Sequence, residues 1–342
     1  MPNDAQRIVL ASRPEGAVTL GNFRLEDFDL PEPGDGEVAV RLTHFSLDPY
    51  MRGRMDAAKS YSAPIEIGAP MSGAGVGVVI ASNAKGFSKG DLVTGDMGWA
   101  SHAVRPGKAL TKLAPGIPPT AALGVLGMPG FTGWHGLNAY GRPKAGETLV
   151  VAAATGPVGS MVGQLAKHYG LRAVGIAGGA GKCRLAVETF GFDACIDHRA
   201  QADGRAMRAA IAEAAPDGVD IYFENVAGKV LEGVLPLMNV GGRIPLCGMI
   251  AYYDLDAPPK GPDRMPHLWR SILIKRLAVQ GFIISDHWKR LPAFLGEVAP
   301  LVEDGTIRYL EDVAEGLENA PAAFMAMLKG GNLGKQIVKV EG

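Results

Sequence analysis

The stretch Ala154-Thr155-Gly156-Pro157-Val158-Gly159 follows the apolar run Thr148–Ala152 and precedes residues 160–167, whose apolar positions recur at helical spacing. Strand, glycine turn and helix in that order bring backbone N–H groups close to a pyrophosphate and aim a helix N-terminus at it, where the dipole favours an anion. Ala154 stands in place of the usual first glycine, so the motif alone also fits a tight strand–helix turn with no ligand. The next strand ends near Ala177, about 20 residues further on, where an NAD site places an acid on the ribose 2′-hydroxyl. No Asp or Glu occurs between Leu171 and Val187, and the loop expected at 178–184 closes on Lys182-Cys183-Arg184. The bland reading is a solvated first helical turn. Cations are unfavourable there unless an anion lies nearby, so the pair points to a 2′-phosphate and to NADP(H) rather than NAD(H).

Metal chemistry is not expected. The three cysteines, Cys183, Cys195 and Cys247, all fall in the nucleotide-binding half and form no CxxC; the seven histidines, at 44, 102, 135, 168, 198, 267 and 287, show neither HxH nor HxxxH spacing. A hydride acceptor activated by hydrogen bonds alone is then needed, and a conjugated alkene or a quinone qualifies. Three widely spaced cysteines also exclude a disulfide framework and fit a reducing compartment. The polar N-terminus shows no signal peptide, and no apolar run is long enough to span a bilayer, so a cytoplasmic protein without a membrane partner is expected.

The elements that must position these groups fall into two kinds. From Arg7 to about Leu126 the apolar runs are short, rich in Val and Ile and punctuated by Gly and Pro, an all-β pattern; glycines within residues 75–80 suggest strongly bent strands in a small barrel. From Thr148 the rhythm changes to strands at 148–152, 173–176, 219–223, 243–247 and 278–283 alternating with helical stretches, the pattern of a doubly wound parallel sheet. Helices are expected at 291–303 and around 320–328, and a last strand at 335–340 that returns to the N-terminal β domain, because another crossover would be needed to extend the parallel sheet.

Bulk properties agree. A chain of 342 residues with 47% apolar and 20% charged residues supports two domains and no disorder. The 47 Gly and 24 Pro suit many tight turns. With 34 Lys+Arg against 35 Asp+Glu and no basic run, nucleic acid is excluded as a partner.

Across nearly its whole length the sequence resembles the zinc-independent medium-chain dehydrogenase/reductases, within them the leukotriene B4 dehydrogenase, prostaglandin reductase and curcumin reductase group of NADPH-dependent alkenal and enone reductases. The likeness is carried by Ser46-Leu47-Asp48-Pro49-Tyr50-Met51-Arg52, Gly127-Met128-Pro129-Gly130-Phe131-Thr132-Gly133, the turn at 154–159, Phe223-Glu224-Asn225-Val226, residues 242–248 and Gly331-Asn332-Leu333-Gly334-Lys335. It implies a GroES-like β-barrel domain at 1–126 with 312–342, and a Rossmann domain at 127–311. It further implies that Gly156, Pro157, Val158 and Gly159 bind the pyrophosphate and Lys182 the 2′-phosphate. Asn225, Cys247, Gly248, Ile250, Tyr253, Phe282, Ile283, Ile284 and Asn332 would hold the rest of the cofactor. His198 stands where several members carry a Tyr against the adenosine phosphate; Asn332, read without the resemblance, is a turn residue.

By the same resemblance Tyr253 is the catalytic candidate: its phenol would hydrogen-bond the substrate carbonyl and stabilise the enolate, with proton delivery to the α-carbon a further role open to it. Tyr252 beside it is the alternative. Tyr50, Met51 and Arg52 would border the substrate pocket, although Met and aromatic residues are commonly core. Met249, Met265, Trp269 and Trp288 could add an apolar wall. The expected activity is NADPH-dependent reduction of the C=C bond of α,β-unsaturated ketones and aldehydes. A quinone reductase, a non-catalytic NADPH-binding protein and a zinc alcohol dehydrogenase are the competing readings. A homodimer is implied, joined through edge strands near residues 282–285.

Overall fold

The computed structural model describes residues 5–340 apart from Lys59, Pro115, Asp256, Pro258 and Lys260, so residues 1–4 of the polar N-terminus lie outside the described residues. The chain divides into two compact units, Met1–Gly127 with Glu311–Gly342, and Met128–Leu310.

In the first unit β1 (Ala5–Leu10) and β2 (Phe23–Phe28) form an antiparallel pair. A seven-stranded sheet is organised on β3 (Glu37–Ser46), followed by the short α1 (Met51–Arg54). β4 (Ala74–Ser82) pairs with β3, β5 (Leu92–Asp96) with β4, β6 (His102–Pro106) with the start of β3, and β7 (Thr111–Lys112) with β5. The glycines of β4 bend this sheet. A Cβ at Gly77 would overlap the Arg41 carbonyl oxygen, and the β3–β4 register shifts beside it, between Ala39 and Val40 and between Leu42 and His44. Inside, Trp99 stacks on Phe23 and Phe45 with centroids 5.6 and 6.0 Å apart and meets Phe324 edge-on.

The second unit alternates helix and strand: α2 (Met128–Gly136), β8 (Thr148–Ala152), α3 (Pro157–His168), β9 (Arg172–Ala177), α4 (Ala180–Glu188), β10 (Ala194–Asp197), α5 (Gly204–Ala214), β11 (Val219–Phe223), α6 (Gly228–Val234), β12 (Met238–Leu246), α7 (Met265–Lys275), β13 (Ala278–Gly281) and α8 (Leu291–Glu303). The six strands are parallel in the order β10-β9-β8-β11-β12-β13. The order reverses between β8 and β11, so the crevice at their carboxyl ends is a topological switch point, where such sheets bind ligands. Every residue of β8 is buried, which is why a strand covered on both faces reads as an unbroken apolar run.

Two expectations need correction here. Residues 178–184 are not one loop: Gly179, at φ 98°, supplies the positive backbone angle that starts α4 at Ala180, so Lys182 and Arg184 ride on the helix. The last parallel strand ends at Gly281, and residues 284–290 coil into a 3-10 turn; the sheet edge is therefore Ala278–Gly281 rather than 282–285.

The C-terminal segment, β14 (Glu311–Glu315), α9 (Ala320–Leu328) and β15 (Lys335–Lys339), belongs to the first unit. β15 runs parallel to β14 and antiparallel to residues 44–46 of β3. Among the described residues no helix is long and apolar enough to cross a membrane.

Candidate active site

The glycine turn forms a backbone cradle. After β8, Ala153 adopts φ 55°, and the Ala154 N–H returns to the Ile176 carbonyl of β9 at 3.0 Å. Gly156 caps α3 in an extended conformation and Pro157 opens the helix with a φ already suited to it. A Cβ at Gly159 would overlap the Ala153 carbonyl oxygen, so glycine is what lets the first turn of α3 press against the loop. The Val158 and Gly159 amides, in that first turn, have no acceptor within the helix. A concave loop with outward N–H groups at a helix N-terminus fits a pyrophosphate.

Cations gather at the carboxyl ends of β9 and β10. The point a Cβ of Gly178 would occupy lies 3.0 Å from both His198 Nε2 and Arg199 Nε, so both side chains lean over the end of β9. Asp197 Oδ1 accepts the N–H groups of Gly179 at 2.7 Å and Arg199 at 2.8 Å, which ties the loop after β10 to the start of α4 and Lys182. Lys229, on α6, donates to the Gln201 carbonyl at 2.7 Å. Burial and then the charges of Lys229 and Arg199 push His198 below its ordinary pKa, against the pull of Asp197. Arg199 and Lys229 escaped the sequence reading, though Arg199 directly follows a residue it had singled out.

Nearer the switch point, the loops after β11 and β12 are zipped together. Glu224 carbonyl accepts the N–H groups of Cys247 at 2.9 Å and Gly248 at 3.2 Å, and the Asn225 carbonyl accepts that of Ile250 at 3.2 Å. The Asn225 amide donates to the Ala152 carbonyl at 2.9 Å, so Asn225 also fastens β11 to the end of β8. Beneath it the buried Glu224 side chain accepts the Val226 and Ala227 N–H groups at 2.7 and 2.8 Å, which holds Ala227 at φ 67°. Burial raises the Glu224 carboxyl and those two donors counteract it. The Cys247 thiol is pushed up to about 12 by burial, so it packs as a neutral group.

The two tyrosines differ in what they touch. Tyr252 is partly exposed and its hydroxyl accepts the Gly228 N–H at 3.3 Å, at the start of α6. Tyr253 turns back over its own loop: its oxygen accepts the Met249 N–H at 3.4 Å and would sit 3.1 Å from a Cβ at Gly248. Its hydroxyl hydrogen is left for another acceptor, and burial raises its pKa, which keeps that hydrogen in place at neutral pH.

The remaining expected residues are more mixed. Phe282 is buried and its ring meets Phe223 and Tyr140 at centroid distances of 6.3 and 5.3 Å, so only its backbone and the half-buried Ile283 and Ile284 face outward. Met249, Met265, Trp269 and Trp288 are all exposed, although Trp288 also stacks on Phe131 at 5.6 Å. In the first unit, Asn332 closes its own turn by donating to the Gly334 carbonyl at 2.8 Å. Met51 is fully buried, and the Arg52 guanidinium is bound to Asp56 at 2.6 Å and the Gly16 carbonyl at 2.8 Å. Tyr50 is the half-buried member of that trio.

A doubly wound sheet bearing a dinucleotide cradle, joined in one chain to a bent β-sheet unit, defines a two-domain nucleotide-dependent oxidoreductase. Residues 6–113 match the family described as the N-terminal domain of oxidoreductase, and residues 157–299 the family described as zinc-binding dehydrogenase. Despite that second description, no three or more His, Cys, Asp or Glu among the described residues form a group able to hold a metal ion. The NADPH-dependent curcumin reductase of Escherichia coli (strain K12) is 50% identical over 339 residues, 98% of this chain and 97% of that protein. Prostaglandin reductase 1 of Mus musculus is 40% identical over 333 residues, 95% of this chain and 96% of its own. The crystal structure of CurA in complex with NADPH from Vibrio vulnificus superposes with a TM-score of 0.94 at 48% identity, covering 98% of this chain and 99% of that one. The chain belongs to the zinc-independent medium-chain dehydrogenase/reductases, in the group of NADPH-dependent alkenal and enone reductases.

Proposed function

We propose that this protein reduces the conjugated C=C bond of α,β-unsaturated ketones and aldehydes at the expense of NADPH. One observation carries the reading: half of all residues are shared, across 98% of the chain, with a protein named for NADPH-dependent curcumin reduction. When bound, the reduced nicotinamide supplies a hydride for the β-carbon. The cradle of Gly156, Pro157, Val158 and Gly159 holds the pyrophosphate, Lys182 and His198 face the 2′-phosphate, and Asn225 with residues 247–250 fixes the nicotinamide end. Tyr253 donates its hydroxyl hydrogen bond to the substrate carbonyl oxygen, so negative charge that develops there as the alkene is reduced is stabilised without a metal. Within the first unit, the buried Met51 and the anchored Arg52 support the half-buried Tyr50.

The test offers purified protein and NADPH to 4-phenylbut-3-en-2-one, a simple alkenal and a benzoquinone, and identifies every product. Saturated ketone and aldehyde with the carbonyl retained are expected. Hydroquinone as the only product would replace this reading with quinone reduction, and an unsaturated alcohol would replace it with carbonyl reduction.

The proposed assembly is a homodimer formed across β13. All four residues of that strand are exposed at the end of the sheet, and α7 beside it in sequence leaves Trp269 and Leu273 bare at 62% and 76% exposure. Sedimentation at about 10 μM should give a dimer, and Val279→Lys should shift it toward monomer; an unaltered dimer in that variant would place the interface elsewhere. The three cysteines are free, which supports a reducing, cytoplasmic location.

A further inference from the structure

His198 is set in a ring of charge that the cradle itself does not need. Lys182 on α4, Arg199 on its own loop and Lys229 on α6 act on it from three sides, and Asp197 is the one acid among them. The imidazole and the Arg199 guanidinium converge over Gly178, where a side chain of any size would strike both. Gly178 directly follows β9, and that is where this fold presents the adenosine ribose. Before cofactor arrives, burial and the surrounding cations favour the neutral ring.

We propose that His198 takes up a proton when the 2′-phosphate of NADPH binds, so that His198 with Arg199 makes the preference for NADPH over NADH grow as pH falls. The proposal rests on the NADPH reading above and goes beyond it by giving these two residues a specificity role linked to pH. A phosphate dianion brought within about 4 to 6 Å of the imidazole reverses the local field and raises its pKa. Because the bound pKa exceeds the free one, the gain in affinity is fully present below the free pKa and is lost as pH rises through the bound pKa. The phosphate's own ionisation, with a pKa near 6, works with opposite sign, since cations that hold the dianion expel its proton. Uptake measured at pH 7.5 therefore reports the histidine.

The experiment is isothermal titration of the purified full chain with NADPH and with NADH, in Hepes and in Tris, whose ionisation heats differ, at pH values from 6.5 to 8. NADPH binding is expected to take up a fraction of a proton at pH 7.5 and to be about fivefold tighter at pH 6.5 than at pH 8. NADH should show no such dependence. His198→Gln should abolish the uptake and flatten the pH profile while NADPH still binds; Arg199→Ala should weaken NADPH several-fold and leave NADH unchanged. The proposal is overturned if NADPH binds with no buffer-dependent heat, or if the uptake survives in His198→Gln. If NADPH binds no more tightly than NADH at any pH, the NADPH reading falls and the proposal with it.

Discussion

Tyr253→Phe should lower kcat for enone reduction by about 10²- to 10³-fold, the loss typical of removing one oxyanion donor. Both tyrosines after β12 use their oxygens as acceptors, Tyr253 from the Met249 N–H at 3.4 Å and Tyr252 from the Gly228 N–H at 3.3 Å, so each keeps its hydrogen for donation; Tyr253 is the more buried of the two. Phenylalanine keeps the ring and its packing against Gly248, so the Kd for NADPH should change by less than about twofold, and the loss should fall on kcat rather than on cofactor binding. Since burial raises the Tyr253 pKa, the donor persists as pH rises, and no loss of rate from its ionisation is expected below about pH 10. Steady-state kinetics of the pure variant decide the matter. A kcat within about threefold of the parent would make Tyr253 a packing residue.

Lys335→Met should destabilise the first unit by about 3–5 kcal/mol, lowering the melting temperature by about 10 °C or more. Lys335 and Asp48 are both buried, with side chains only 3% and 7% exposed, and their charged atoms lie 2.7 Å apart. The ammonium also donates to the Leu47 carbonyl at 2.6 Å, and the Ser46 hydroxyl donates to the other oxygen of Asp48. Burial lowers the Lys335 pKa, and the Asp48 charge opposes that. Removing the lysine leaves a buried carboxylate that one hydroxyl cannot satisfy. Adding Asp48→Asn to Lys335→Met should recover more than half of the loss, since the cost comes from an unpaired charge. Calorimetry of the two variants tests this; equal melting temperatures for single and double variants would contradict it. The bond joins β15 to the turn that carries Tyr50.

Where the sequence was informative, local chemistry and local position coincided. The turn at 154–159 could be read because strand, glycines and helix are contiguous, and the parallel strands because burial on both faces leaves unbroken apolar runs. The return of the last strand to the N-terminal β unit could be read because extending the parallel sheet would have required another crossover, and the structure seats it against β3. What the sequence concealed is built from separate strands. Arg199 acquires its place only because β10 lies beside β9, and β10 itself, with Cys195 half-buried and Asp197 at its end, has no long apolar run to announce it. Glu224 lay within a recognised motif, yet its work of holding Val226 and Ala227 depends on a buried carboxylate folding back on its own loop. The extent of α4 was missed because Gly178-Gly179 looks like a loop in one dimension, whereas the positive φ of Gly179 is a helix start. The sheet edge was displaced because residues 278–283 read as one strand, and only the turn at Ile284–Arg290 shows that pairing stops at Gly281.

The most direct test of the account follows the hydride. The protein would be given NADPH deuterated at the transferable C4 position and 4-phenylbut-3-en-2-one, and the product read by NMR. The account predicts 4-phenylbutan-2-one with deuterium on the β-carbon and hydrogen from solvent on the α-carbon. Deuterium on the carbinol carbon of an unsaturated alcohol, or NADPH bound without any transfer to the enone, would contradict it.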